Sequence, residues 1–168
     1  MTRECCTPDK EPQSSCCEPD TPMCCRGNTK PPHDKKTLNI HWKRLIKDEE
    51  TCPRCSSTEE ELTKAVKTLE KYLTPLGFRI NLEKSELTVD EFKKAPLQSN
   101  TITINNQLLK TILNAETGQS PCCDVCGPTD CRTITIDDQT YETIPEELII
   151  KAALTTATKM MTTQSSCC

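Results

Sequence analysis

The chain has 168 residues, a net charge of −4 and 14 cysteines, one residue in twelve. Mild acidity and an aromatic content of 3% provide neither the basic footprint nor the stacking surface that nucleic-acid binding requires. No apolar run approaches the roughly 18 residues that span a bilayer, so neither nucleic acid nor a membrane is an expected partner.

Residues 1–36 contain no Leu, Ile, Val, Phe, Trp or Tyr, and they hold six of the 12 prolines. They offer no apolar segment of signal-peptide type, and the expected compartment is a reducing cytoplasm. In that setting abundant thiols read as metal-binding or redox-active. Six Lys/Arg balance six Asp/Glu here, so this is no polybasic arm. With nothing apolar to bury, the segment is expected to be disordered unless a metal orders it. It carries three adjacent pairs, Cys5–Cys6, Cys16–Cys17 and Cys24–Cys25. Gln13-Ser14-Ser15-Cys16-Cys17 returns as Gln164-Ser165-Ser166-Cys167-Cys168, and Gln119-Ser120-Pro121-Cys122-Cys123 is a near copy.

The folded part opens at Leu38. Leu38, Ile40 and Trp42 alternate with polar residues, the period of a strand. Thr51-Cys52-Pro53-Arg54-Cys55 follows. Ser57 or Thr58 is positioned to cap the next helix, with Glu60 and Glu61 in its first turn. Its apolar stripe runs through Leu62, Ala65, Val66, Leu69, Tyr72, Leu73 and Leu76, and Pro75 and Gly77 end it. Phe78, Ile80 and Leu82 make a second strand. Thr88-Val89-Asp90-Glu91 is a capping-box pattern for a short helix that Pro96 stops. Ile102 and Ile104 mark another strand, closed by an Asn105-Asn106 turn. Leu108, Leu109, Ile112 and Leu113 predict one or two helical turns. Residues 114–131 read as a loop with four cysteines. Arg132–Ile136 and Thr140–Ile144 read as a hairpin. Pro145 then introduces a last helix that reaches Met160 and Met161. The order of elements predicts α/β layers around one sheet.

The chemistry rests on thiols. A helix start stabilises a thiolate, so an exposed Cys52 is expected to be the nucleophile, with Arg54 adding positive charge and Cys55 as the resolving thiol. Cys-Pro-x-Cys also begins zinc knuckles. Cys123 and Cys126 form a second CxxC that, with Cys52 and Cys55, would complete a four-cysteine zinc site, although the halves are far apart for a compact ribbon. Alternatively the block Cys122, Cys123, Cys126 and Cys131 relays electrons or metal to Cys52 and Cys55. The adjacent pairs in the tails, Cys167–Cys168 included, have Cα atoms about 3.8 Å apart. That is too close for an easy disulfide, yet each pair presents two soft ligands. The two histidines, His33 and His41, give little support to a His-based triad. With four glycines in all, there is no phosphate-cradling loop.

Leu38 to about Met161 resembles an uncharacterised family of thioredoxin-like, cysteine-rich prokaryotic proteins, a domain of unknown function of the DUF2703 type. The resemblance rests on Thr51–Cys55, Glu59–Leu62, Gln119–Pro128, Asp130–Arg132 and Tyr141–Pro145. It implies a thioredoxin-like fold and no established reaction. One departure is that Ser99, Asn100 and Thr101 precede Ile102, where a thioredoxin-like protein places a cis-proline. Docking of a substrate disulfide in the usual way is therefore not expected.

Together these readings predict an α/β protein: a thioredoxin-like mixed sheet flanked by helices over 37–163, with a cysteine-rich insertion and disordered tails at 1–36 and 164–168. Its expected role is thiol–disulfide exchange coupled to handling a thiophilic metal or metalloid, with a thiol or disulfide redox partner. Zinc, copper(I), mercury(II) and arsenic(III) are the candidate ions. A non-catalytic zinc protein and a soft-metal sequestration or delivery protein are the alternatives.

Overall fold

The computed structural model describes residues 35–122 and 126–162. The expectations for Cys5, Cys6, Cys16, Cys17, Cys24, Cys25, Cys123, Cys167 and Cys168 fall outside the described residues.

Alternation in strand β1 (Lys36–Leu45) turns Leu38, Ile40 and Trp42 fully inward and leaves Asn39 on the opposite, exposed face. Helix α1 (Pro53–Leu73) starts earlier than the sequence suggested. Cys52, with extended backbone, is the cap residue, and Pro53 stands at the first helical position, where its missing N–H costs nothing. Thr58 is therefore not a cap but a buried residue inside the helix. Leu62, Ala65, Leu69 and Leu73 form the buried stripe. Tyr72 and Leu76 are instead 60% and 62% exposed. Tyr72 lies on the flank of the stripe, and Leu76 belongs to a 3-10 turn beyond the helix. Gly77, at φ 85, ends this run in the left-handed conformation that glycine adopts without strain.

Strand β2 (Phe78–Leu87) returns parallel to β1, so α1 is the crossover of a βαβ unit. Thr88 caps α2 (Val89–Lys94) in the predicted capping box: its hydroxyl accepts from Glu91 N at 3.3 Å, and the Glu91 carboxylate accepts from Thr88 N at 2.8 Å. Strand β3 (Thr101–Ile104) runs antiparallel to β1. Asn105 and Asn106, both left-handed, turn the chain into β4 (Gln107–Leu108), and α3 (Leu109–Leu113) follows. The sheet order is β2-β1-β3-β4.

A second sheet stands where one was expected: β5 (Glu116–Pro121), β6 (Asp130–Ile136) and β7 (Gln139–Tyr141), all antiparallel. Part of the predicted 114–131 loop is thus a strand. Its residues are mostly small or polar, and it is specified by its partner rather than by its own apolar period. Gly118 pairs with Thr133, whose Oγ1 lies 2.7 Å from the point a Cβ at 118 would occupy, so a side chain there would require Thr133 to shift. The β6–β7 turn is Asp137-Asp138, both left-handed, as a two-residue hairpin requires.

Helix α4 (Glu146–Thr162) buries Leu148, Ile149, Ala152, Ala153 and Ala157. It meets α1 through polar contacts as well: Glu146 N donates to Glu61 Oε2 at 3.0 Å, and Thr68 Oγ1 donates to Glu146 Oε1 at 2.8 Å. The fold is a mixed α/β arrangement of two sheets flanked by helices. Among the described residues no helix is long and apolar enough to cross a membrane.

One buried polar chain links these pieces. Trp42 Nε1 donates to Asn100 Oδ1 at 3.1 Å, Asn100 Nδ2 donates to Thr58 Oγ1 at 3.1 Å, and Ile144 N donates to the same oxygen at 3.3 Å. Thr58→Val keeps the shape and removes the acceptor from two buried donors. At about 1–3 kcal/mol per unsatisfied buried group, urea unfolding should show a loss of about 2–6 kcal/mol. A change within experimental error would mean that both donors find other partners.

Candidate thiol and metal-binding site

Short-range contacts fix the approach to Cys52. Beyond β1 the chain makes a tight turn in which Lys47 and Glu50 exchange backbone hydrogen bonds of 2.9 Å, with Asp48 and Glu49 left-handed. Thr51 Oγ1 donates to Leu45 O at 3.0 Å, and Leu45 N donates to Ser99 Oγ at 3.2 Å. These bonds hold the end of β1, the start of α1 and the segment before β3 in one place. No cis peptide bond occurs among the described residues; Ser99 occupies the approach to β3 and lies 3.8 Å from Cys55 Sγ.

Four sulfurs converge here. Those of Cys52, Cys122, Cys126 and Cys131 all lie within 4.8 Å of one another. Cys122 and Cys131 form a disulfide with Cα atoms 5.3 Å apart, and Cys52, Cys55 and Cys126 are thiols. Cys126 Sγ is 3.0 Å from Cys122 Sγ and 3.4 Å from Cys131 Sγ. Cys131 is on β6, opposite Ser120, and Cys122 immediately follows β5. The converging set thus takes only the first cysteine of Cys52–Cys55. Cys55 stands behind it, beside Ser99, and Cys123 is outside the described residues.

Arg54 joins the two halves. Its guanidinium donates to Ser120 Oγ at 2.8 Å, Pro121 O at 2.7 Å and Glu142 Oε1 at 2.7 Å. Glu142 also accepts from Ser120 Oγ at 2.9 Å. The side chain expected to supply charge to Cys52 is engaged in holding the end of β5 on the first turn of α1.

Cys52 is buried, 1% exposed, with the sulfurs of Cys122, Cys126 and Cys131 beside it; the exposed nucleophile expected from the sequence is not what the fold provides. Its thiol is nevertheless acidic, lowered from 9.0 to about 5. The main cause is a hydrogen bond from the Cys55 side chain; the N–H groups of Cys55 and Arg54 and the Cys126 thiol add to it, against the opposing effect of burial. Cys55 is pushed strongly upward, first by giving its S–H to Cys52 and then by burial.

Sequence reasoning singled out Cys52, Cys122, Cys126 and Cys131 but missed Ser120 and Glu142, which bind Arg54 at the end of β5, and Ser99, which touches Cys55. Ser120 and Glu142 lie inside the stretches that carry the family resemblance, which was the available signal. Their contacts with Arg54 span 66 and 88 residues of chain, and no local pattern encodes them.

Residues 38–153 match the family described as "Domain of unknown function (DUF2703)". An uncharacterized protein of Archaeoglobus fulgidus is 46% identical over 112 residues, covering 67% of this chain and 82% of the relative. No solved structure matches.

The lowered Cys52 value has a consequence for stability. An acid whose folded value lies below its ordinary one stabilises the fold above its ordinary range, and that contribution is lost as pH falls through about 5. Ultraviolet thiolate absorbance of the metal-free chain with Cys122–Cys131 closed should therefore show a step near pH 5 that Cys52→Ser removes. Cys55→Ala should move the step upward, because the donated S–H is gone. A step unaffected by Cys52→Ser would assign the thiolate elsewhere.

Proposed function

We propose, from the premise that the chain belongs to the DUF2703 family, whose description names no reaction, that it binds a thiophilic metal or metalloid ion through Cys52, Cys122, Cys126 and Cys131 and serves to sequester or deliver it. The observation that carries this reading is the convergence of four mostly buried sulfurs from two distant parts of the chain. In a tetrahedral zinc–thiolate site with bonds of about 2.3 Å, the sulfurs stand about 3.8 Å apart. The four sulfurs lie close to that spacing, and Cys122 and Cys131 reach it once their disulfide is open. Soft thiolates favour zinc, copper(I) and, by the same reasoning, mercury(II) and arsenic(III).

A second reading is thiol–disulfide exchange at Cys52 and Cys55. The lowered Cys52 value and the S–H donated by Cys55 favour it. The CxxC at the start of a βαβ crossover also supports a thioredoxin-like assignment. Burial of Cys52 weighs against direct attack on an outside disulfide. Ser99 in place of a cis-proline removes the usual docking surface.

The adjacent cysteines at Cys5, Cys6, Cys16, Cys17, Cys24, Cys25, Cys167 and Cys168 extend the proposal. Each pair offers two soft ligands and disfavours closing on itself, so they are capture sites that pass ions to the core by ligand exchange.

Calorimetry on the reduced, full-length chain under anaerobic conditions tests both readings. Cys52→Ser should weaken binding at the core site by more than about a hundredfold, since even groups behind the ligands are worth about 10- to 100-fold. Cys55→Ser should leave that binding in place. If Cys55→Ser instead abolishes reduction of a small test disulfide that the unaltered chain reduces, the exchange reading gains. Serine at all eight tail cysteines should lower the stoichiometry for mercury(II), arsenic(III) or copper(I). Equal stoichiometry for every ion would leave the tails without that role.

A further inference from the structure

We propose that the Cys122–Cys131 disulfide is the closed form of the soft-ion site, so that the redox state of this one bond decides whether the site can hold an ion. The inference rests on the ion-binding reading above and adds its regulation. The same two sulfurs serve both purposes: they are joined to each other, and they belong to the four that converge. A disulfide sulfur carries no thiolate charge, and a thiophilic ion is held by thiolates. With the bond closed, only Cys52 and Cys126 of the converging set remain as thiols. With it open, all four are ligands.

The geometry also says which way the bond opens. A thiolate displaces a disulfide sulfur by approaching along the S–S axis, which puts it much farther from one sulfur than from the other. Cys126 is 3.0 Å from Cys122 and 3.4 Å from Cys131, almost equidistant. It therefore lies beside the bond, in the position of a third ligand around a common centre, and not in line to break it. Cys126 is thus not the thiol that opens the bond; a dithiol from outside can do so, and burial selects its target. Cys122 is half-buried, whereas Cys131 is only 5% exposed. A thiolate of a small dithiol attacks Cys122 Sγ, the S–S bond breaks and Cys131 leaves as a thiolate. The second thiol of the reductant then attacks its own sulfur in the mixed disulfide, closing the reductant's ring and releasing the Cys122 thiolate. The dithiol loses two electrons and two protons, and the protein gains two electrons. Any thiol protons left on the four cysteines are released when the ion binds. A small-molecule disulfide drives the reverse: it accepts two electrons, Cys122 and Cys131 join, and the ion is left with two thiolates.

Anaerobic cobalt(II) binding by the full-length chain, with Cys123 and the eight tail cysteines replaced by serine, tests the lock. The reduced chain should bind one cobalt(II) with the visible spectrum of a tetrahedral four-thiolate site. Oxidation with a small-molecule disulfide, continued until peptide mapping finds Cys122 joined to Cys131, should weaken binding by more than about a hundredfold. A dithiol should restore it. This cycle needs no change in the site, so a folding defect cannot mimic it. A Cys131→Ser chain should hold its weaker cobalt through the same oxidation. A four-thiolate spectrum that persists with the disulfide closed overturns the lock alone. Absence of that spectrum in the reduced chain overturns the ion-binding reading, and the lock with it.

Discussion

The hydrogen bonds of Arg54 are the constraint on which the site depends. Cys52 belongs to the βαβ unit, whereas Cys131 lies in a separate sheet and Cys122 directly follows one of its strands; neither part can assemble the sulfur cluster alone. A single planar guanidinium, with donors in a fixed fork, satisfies a hydroxyl, a backbone carbonyl and a carboxylate at once. Lysine has the charge but not the fork. The ion pair with Glu142 contributes little energy by itself, since Glu142 is half exposed. Its value is positional: it fixes the last residues of β5, and so Cys122, relative to the first turn of α1.

The cluster places opposing demands on Cys52. Burial disfavours a thiolate, yet the S–H of Cys55 and the amides at the helix start stabilise one. A buried anion that is held ready needs no large reorganisation to accept a cation. The same arrangement keeps Cys55 protonated and out of the cluster. Cys52 is thereby the sulfur common to the Cys52–Cys55 dithiol and to the four-sulfur cluster.

Much of the architecture was legible because it is written in local chemistry. Leu38, Ile40 and Trp42 announced β1 by their period, Thr88 and Glu91 announced the capped start of α2, and Asn105-Asn106 marked a tight turn. What stayed hidden depends on partners distant in sequence. The start of α1 was misplaced because Ser57 and Thr58 are good caps in isolation, whereas Thr58 is used by Asn100 and Ile144. Strand β5 was hidden because Thr117, Gly118, Gln119 and Ser120 have no apolar alternation, and β6 supplies the instruction. In the site, the cysteines were legible by their type and their grouping was not. The two CxxC motifs suggested a symmetrical set, and the fold gathers one cysteine from the first motif and three from around the second.

Strand β2 lies at the rim of the four-stranded sheet and, among the described residues, pairs with β1 alone. Ten residues of extended backbone on an open rim invite another chain to add itself as a further strand, and a protein this rich in thiols could then fix such an encounter covalently. The side chains along the rim oppose it. Arg79, Asn81, Glu83, Lys84 and Glu86 are all exposed, so an approaching copy would have to strip water from four charges before any backbone pairing could form. Lys84 and Glu86 are further tied inward, to Glu59 and Arg44. Strand addition at this rim is thus opposed by charged residues outside the sulfur cluster.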